Sequence, residues 1–244
     1  MVKLATGAPC AALTHAHMTL LIKGLRKNEP QPGQSRQALT TDLLSKCIRT
    51  LRAGYAGQPV DACLEAMLLL GFFGFLRCAE FTALSHNFNH ALHATMSDIV
   101  FPTPGTLIFS LKRSKTNQSG PAQKIFLFKL GSVISPYEPI RRHIELRFAN
   151  QAQPLDPLFV DESNRVASRA WFLRHFRRIL LRSGIEPTHF SGHSLRVGAA
   201  TTASRSGLPD SVIQQLGRWT SHAYNAYIRS NAADIQNAHR KLIS

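Results

Sequence analysis

The apolar positions of this chain are most concentrated over residues 66–76, inside the stretch DACLEAMLLLGFFGFLRCAEFTAL that starts at Asp61. A helix that is apolar on every side belongs in the middle of a core rather than on its surface. This stretch is therefore expected to form one long central helix. Arg77 and Glu80 emerge at its end, three apart, which makes them neighbours on a helix. An arginine directly after so apolar a run is not expected to be fully solvated, and Glu80 stands where it can hold it. Taken alone, the pair reads as an ordinary ion pair at a helix end before it reads as chemistry.

Other segments supply partners for that helix. Residues 11–25 (AALTHAHMTLLIKGL) have an amphipathic helical pattern, and residues 26–38 (RKNEPQPGQSRQA) are rich in Pro, Gln and charge, a linker composition. A domain boundary follows, with residues 1–37 too short to hold a core and residues 38–244 forming the main domain. Thr40 or Thr41 is placed to cap a helix over residues 42–51. Alternation switches to strand period over residues 98–101 and 106–112, where Leu107, Phe109 and Leu111 share a face, and again over residues 124–129. With turn chemistry in RSKTNQSGP, these segments predict a three-stranded antiparallel sheet whose hairpin tip carries Lys115. Lys112, Arg113 and Lys115 then form a basic finger positioned to reach into a groove.

Helical periodicity dominates the second half. Residues 136–150 open on a proline, and Pro154 and Pro157 close the segment. Ser168 caps a helix with Trp171, Phe172, Phe176, Ile179 and Leu180 facing the core and Arg174, Arg177, Arg178 and Arg182 facing out; Gly184 ends it. His193 opens a helix kept slim by Gly198, Ala199 and Ala200. Residues 207–209 start another, Gly217 stops it, and Arg218 and Trp219 lie in the turn that follows. Ser221 begins a short helix bearing Tyr224 and Tyr227. The fold class expected is mainly α with a small antiparallel three-stranded β-sheet.

Charge changes the picture more than any element does. The chain has 29 Lys+Arg against 14 Asp+Glu, a formal net charge of +15. That excess points to a polyanionic partner, nucleic acid ahead of an acidic membrane surface, and its spread along the chain suits a broad binding channel. The apolar run over residues 66–76 is too short to span a bilayer, and the N-terminus has no secretory pattern. Cys10, Cys47, Cys63 and Cys78 sit among apolar neighbours without metal-site spacing, and read as buried hydrophobes in a reducing, intracellular setting.

Chemistry gathers in SGHSLRVGAATTASRSGLPDSVIQQLGRWTSHAYNAYIR, residues 191–229. His193 and Arg196 are three apart on one helix, and an imidazole beside a guanidinium is a plausible phosphate grip. The words FLRCAE, SKT on a hairpin, GHSLR, LGRW and AYIR, in that order, resemble the tyrosine recombinase or phage integrase family over residues 38–228. The ending LGRW…YIR is similar in style to recombinases of eukaryotic tyrosine-recombinase retrotransposons and Crypton-type transposons.

The resemblance implies the DNA breaking-rejoining fold and a function in site-specific recombination or integration through a 3′-phosphotyrosyl intermediate. It assigns the nucleophile to Tyr227, with Tyr224 as the lesser candidate. Arg77 and Arg196 would clamp the non-bridging oxygens, His193 would assist proton transfer, Lys115 would protonate the leaving 5′-oxygen, Trp219 would offer its indole N–H to a phosphate oxygen, and Glu80 would orient Arg77. Lys112, Arg113, Arg174 and Arg178 would contact DNA. No cofactor and no metal is implied. The partners expected are double-stranded DNA and further copies of the chain in a dimeric or tetrameric synapse, with no membrane. The location is the nucleus if the chain is eukaryotic, as the motif style suggests, and otherwise the cytoplasm. Residues 1–37 would then be a remnant of the family's helical core-binding domain, which leaves a catalytically inactive, domesticated DNA-binding protein as the alternative function.

Overall fold

The computed structural model describes residues 37–114 and 120–219 together with Asn225 and Ile228. The helix and linker expected within residues 1–36, the expected hairpin tip with Lys115, and the short helix expected to bear Tyr224 and Tyr227 lie outside the described residues. Among the described residues there are six α-helices and one antiparallel sheet of three strands in the order β1-β2-β3. The helices are α1 (Thr41–Arg52), α2 (Gln58–Phe73), α3 (Tyr137–Ala149), α4 (Arg169–Arg182), α5 (Ser194–Arg205) and α6 (Asp210–Gly217). The strands are β1 (Ile99–Thr103), β2 (Thr106–Leu111) and β3 (Gln123–Phe128). No helix of the described residues is long and apolar enough to cross a membrane.

The apolar helix is central, and it is shorter than its pattern suggests. Every residue from Asp61 to Phe72 is buried. At its start Asp61 accepts hydrogen bonds from the backbone N–H groups of Tyr55 and Ala56 at 2.9 and 2.8 Å, placing a carboxylate at the positive end of the helix dipole. At its end the helix stops at Phe73 instead of running on to Arg77. Phe75 takes the left-handed conformation (φ +49°), its N–H bonds to Phe72 O at 3.0 Å, and the Leu76 N–H bonds to Gly71 O at 2.9 Å. That pattern is a Schellman stop. Gly74 makes it possible, because a Cβ there would lie 2.6 Å from Leu70 O. Arg77 is consequently extended (φ −75°, ψ 145°), at the head of a single 3-10 turn, Cys78–Glu80.

Around α2, the sheet buries Leu107, Phe109, Leu111, Ile125 and Leu127, with Leu107 paired to Leu127 and Phe109 to Ile125. α1, α2 and α3 are tied at Glu65, whose side chain is 1% exposed and pairs with Arg52 and Arg142, both at 2.7 Å. Expected caps divide. Ser168 Oγ accepts from the Trp171 N–H at 3.1 Å, and Gly184 (φ +72°) follows α4, as the sequence predicts. Thr40 precedes α1 without a side-chain cap, so its hydroxyl plays no part in starting that helix.

The slimness of α5 has a specific use. A Cβ on Gly198 would lie 1.9 Å from Leu39 O, so the segment before α1 crosses α5 at backbone distance. Leu39 N–H bonds to Ser194 O at 3.0 Å and Gln37 N–H to His189 O at 2.8 Å, fixing that crossing.

Candidate functional site

The ends of α2 and α6 meet, and the site is built where they do. α6 closes by a second Schellman stop, with Trp219 N–H on Gln214 O at 2.9 Å and Arg218 N–H on Gln215 O at 3.1 Å. The left-handed residue is Arg218 (φ +55°), not Gly217 as the glycine pattern implies. Gly217 is required for room: a Cβ there would lie 1.6 Å from Cζ3 of Trp219, whose ring folds back over it. Both helices thus present C-terminal carbonyls, the negative ends of their dipoles, towards each other.

Arginines occupy the space between these ends. Arg196, 0% exposed, donates from Nη1 to Phe75 O at 2.5 Å and from Nη2 to Gly217 O at 2.6 Å, so one guanidinium joins the two stops. Trp219 covers it, with Cζ of Arg196 4.4 Å from the indole centroid, and meets Phe75 edge to face at 6.2 Å. The Trp219 indole nitrogen is itself buried. Arg218 donates from Nη1 to Gly74 O at 2.9 Å and from Nη2 to Phe75 O at 3.2 Å.

Arg77 enters two residues beyond the shared Phe75 carbonyl. Its Nη1 donates to Glu80 Oε1 and its backbone N–H to Glu80 Oε2, each at 2.9 Å, so Glu80 holds it as the spacing predicts, although through a 3-10 turn and not a helix. Glu80 Oε2 also lies 3.5 Å from Nη2 of Arg218. The Glu80 side chain is 4% exposed, against 18% for Arg77 and 13% for Arg218. Burial pulls the Arg218 guanidinium below its usual pKa, Glu80 opposes this, and the charge of Arg77 adds to it. Arg77 and Arg218 therefore share the Glu80 carboxylate, and Arg218 and Arg196 share the Phe75 carbonyl, so the three guanidinium groups form one connected cluster.

His193 lies at the head of α5 and is exposed, whereas Arg196 three residues on is fully buried. The His193 turn reaches the Arg77 region. A Cβ on the preceding Gly192 would lie 2.8 Å from Cβ of Cys78, the residue after Arg77. The hairpin is rooted close by, because Glu80, Thr82, His93, Lys112 and Arg113 line one pocket.

Of the expected DNA contacts, Lys112 does not serve as an outward finger. Its ammonium is held by Asp98 at 2.7 Å, His90 O at 2.7 Å, Thr95 Oγ1 at 3.0 Å and His93 O at 3.1 Å, a tie between the β2 end and the preceding loop. Arg113 and Arg174 are exposed. Arg178 is exposed as well, and Arg182 donates to Tyr55 O at 2.9 Å. Arg169 and Arg177, exposed on the same face as Leu173, lie nearer the site, since Leu173 is 3.5 Å from the Cβ position of Gly192.

Arg169 and Arg218 are not singled out by the sequence pattern. Arg218 had a signal in LGRW, a cation at a helix end, but nothing local says that its side chain turns inward. The three described cysteines are buried, and burial pushes the Cys63 thiol up to about 12 and those of Cys47 and Cys78 to about 11, so none is a ready nucleophile. No group of three or more His, Cys, Asp or Glu side chains able to hold a metal occurs among the described residues.

The chain is similar to known proteins in sequence pattern and in fold. The profile described as "Phage integrase family" matches residues 37–234. A structure of the XerH site-specific recombinase bound to a palindromic difH substrate in a post-cleavage complex superposes with a TM-score of 0.64 at 15% identity, covering 85% of this chain and 53% of that one. XerA recombinase gives 0.63 at 17% identity, covering 92% and 72%. The Tn1549 transposon integrase in complex with transposon right end DNA gives 0.56 at 14% identity, covering 90% and 70%. The chain spans about half the length of the XerH chain. No curated protein gives a significant match.

Proposed function

Because the chain belongs to the phage integrase family, we propose that it cuts and rejoins DNA strands in recombination or integration, through a covalent 3′-phosphotyrosyl intermediate on Tyr227. In this reading Arg77 and Arg196 take the non-bridging oxygens of the scissile phosphate. His193 assists proton transfer, Lys115 protonates the departing 5′-oxygen, and Glu80 orients Arg77. A tyrosine of ordinary pKa about 10 is neutral near pH 7, so attack needs proton removal together with stabilisation of the charge on the non-bridging oxygens of the pentacoordinate phosphorus. The positive side chains supply that stabilisation without a metal.

The observation that carries the reading is the gathering of Arg77, Glu80 and Arg196 at the facing ends of α2 and α6, with the His193 turn packed against Cys78. We assign DNA-backbone contacts to Arg113, Arg169, Arg174, Arg177 and Arg178, which are exposed, and self-association on DNA as a dimer or tetramer follows from the same reading. Descent from a eukaryotic transposon recombinase, with action in the nucleus, is proposed on the LGRW…AYIR ending alone.

One observation favours the other reading, a DNA-binding protein without activity. Arg196 has no exposed surface and lies under Trp219, so it reaches a phosphate only if the groups that cover it move. A nicked suicide DNA duplex separates the two. Trapping of a covalent protein–DNA adduct on a denaturing gel, lost in Tyr227→Phe, is the result expected. Salt-sensitive retardation of DNA without any adduct would refute the enzymatic reading.

A further inference from the structure

We propose that Arg218 is a positioning residue for Arg77 and Arg196, a role that rests on the function proposed above. Its contacts are divided between the two arginines. Through Glu80 it meets Arg77: Oε2 of Glu80 accepts the Arg77 N–H at 2.9 Å and faces Nη2 of Arg218 at 3.5 Å, while Oε1 holds the Arg77 guanidinium at 2.9 Å. Through Phe75 it meets Arg196, because one carbonyl accepts from both side chains, at 3.2 Å from Arg218 and 2.5 Å from Arg196. A third bond, to Gly74 O at 2.9 Å, anchors it on the stop that ends α2.

The backbone points the same way. Arg218 holds a left-handed conformation (φ +55°) at a helix end where glycine is the usual residue. A strained non-glycine residue persists where its surroundings demand the side chain, and such positions cluster at functional sites. Here the side chain is 13% exposed and turned inward on four acceptors, counting Leu216 O at 3.2 Å. Removing it takes a cation from Glu80, which then draws the Arg77 guanidinium more strongly to itself and away from a phosphate. It also leaves the Phe75 carbonyl to Arg196 alone. Both changes act on the developing phosphorane charge, so the chemical step slows while ground-state DNA binding persists.

The test compares wild type with Arg218→Met, Arg218→Gly and Arg218→Lys by single-turnover adduct formation on a nicked suicide duplex at saturating DNA, with DNA affinity measured in parallel. Glycine suits the left-handed backbone, so Arg218→Gly folds even if the methionine variant does not. The expected result is a cleavage rate lowered about tenfold or more in the Met and Gly variants. DNA affinity should stay within about threefold of wild type, and Lys, a single point charge unable to fork, should restore only part of the rate. The loss should also be non-additive with Glu80→Gln. A wild-type rate in Arg218→Gly, an equal loss of DNA affinity, or strict additivity with Glu80→Gln overturns the positioning role while the proposed function stands. No adduct from the wild type overturns the proposed function and this role with it.

Discussion

Replacing Gly217 by alanine separates the geometry of this site from helix propensity, because the two demand opposite signs. Gly217 is the last residue of α6, and Gly→Ala within a helix ordinarily stabilises by about 0.5–1 kcal/mol. Here the new Cβ would lie 1.6, 1.9 and 2.4 Å from Cζ3, Cε3 and Cη2 of Trp219. Carbon atoms pack at about 3.5–4.0 Å, so the indole must retreat by about 2 Å. Retreat breaks its stack on Arg196, now at 4.4 Å, which is worth about 0.5–2 kcal/mol. Overpacking of this kind costs about 1–3 kcal/mol, so Gly217→Ala should destabilise by about 1–3 kcal/mol even after the propensity gain. Urea unfolding followed by far-UV circular dichroism measures it. In a Trp219→Ala background, where the obstructing ring is gone, the same substitution should be neutral or stabilising. A single Gly217→Ala variant as stable as wild type would refute the placement of Trp219 over Gly217, and with it the covering of Arg196.

Gly198→Ala should cost about 3 kcal/mol or more in urea unfolding, since its Cβ would lie 1.9 Å from the Leu39 backbone oxygen, which has no rotamer to escape into; wild-type stability would refute the crossing. His143 is 2% exposed, bonds to Leu158 O at 2.9 Å, and is pushed down to about 4 by burial. A folded pKa below the unfolded value of about 6.5 means the unfolded chain binds the proton first, so its contribution is full above pH ~6.5 and lost as pH falls to ~4, up to about 3 kcal/mol. Unfolding free energies from pH 7 to 4 should lose that part of their slope in His143→Gln; an unchanged slope would refute it. Arg169→Ala and Arg177→Ala should each flatten the log–log salt dependence of DNA retention by about one, whereas Arg182→Ala, which removes a group engaged with Tyr55, should not; equal effects would refute the assignment.

Much of this architecture is legible in the sequence because local rules and tertiary packing agree there. The alternation of Leu107, Phe109 and Leu111, the Ser168 cap and the all-round apolar surface of α2 each state a requirement that the fold meets. Propensity and packing part at the helix ends. Nothing in GFFGFLR announces a stop with the left-handed position at Phe75, because carbonyls exposed there gain their value from Arg196, 121 residues away, and Arg218, 143 residues away. For the same reason Gly217 reads as the helix stop when its neighbour takes that role: the glycine answers to an indole folded over it, a contact no local pattern encodes. The pairing of Arg77 with Glu80 is legible from spacing, since three residues reach across a 3-10 turn as well as an α-helical one. The outward finger at Lys112 is not what folds, because Asp98 lies beside it in space and takes the charge.

The central claim is that DNA becomes attached to Tyr227. Cleavage after Arg218 and Arg229 by trypsin would release both candidate tyrosines in one peptide, WTSHAYNAYIR. Mass spectrometric fragmentation of that peptide, taken from an adduct trapped on nicked suicide DNA and digested with nuclease, tests the claim most directly. A phosphonucleotide on Tyr227 is the result predicted; a modification on Tyr224, or an adduct whose attachment lies outside this peptide, would contradict it.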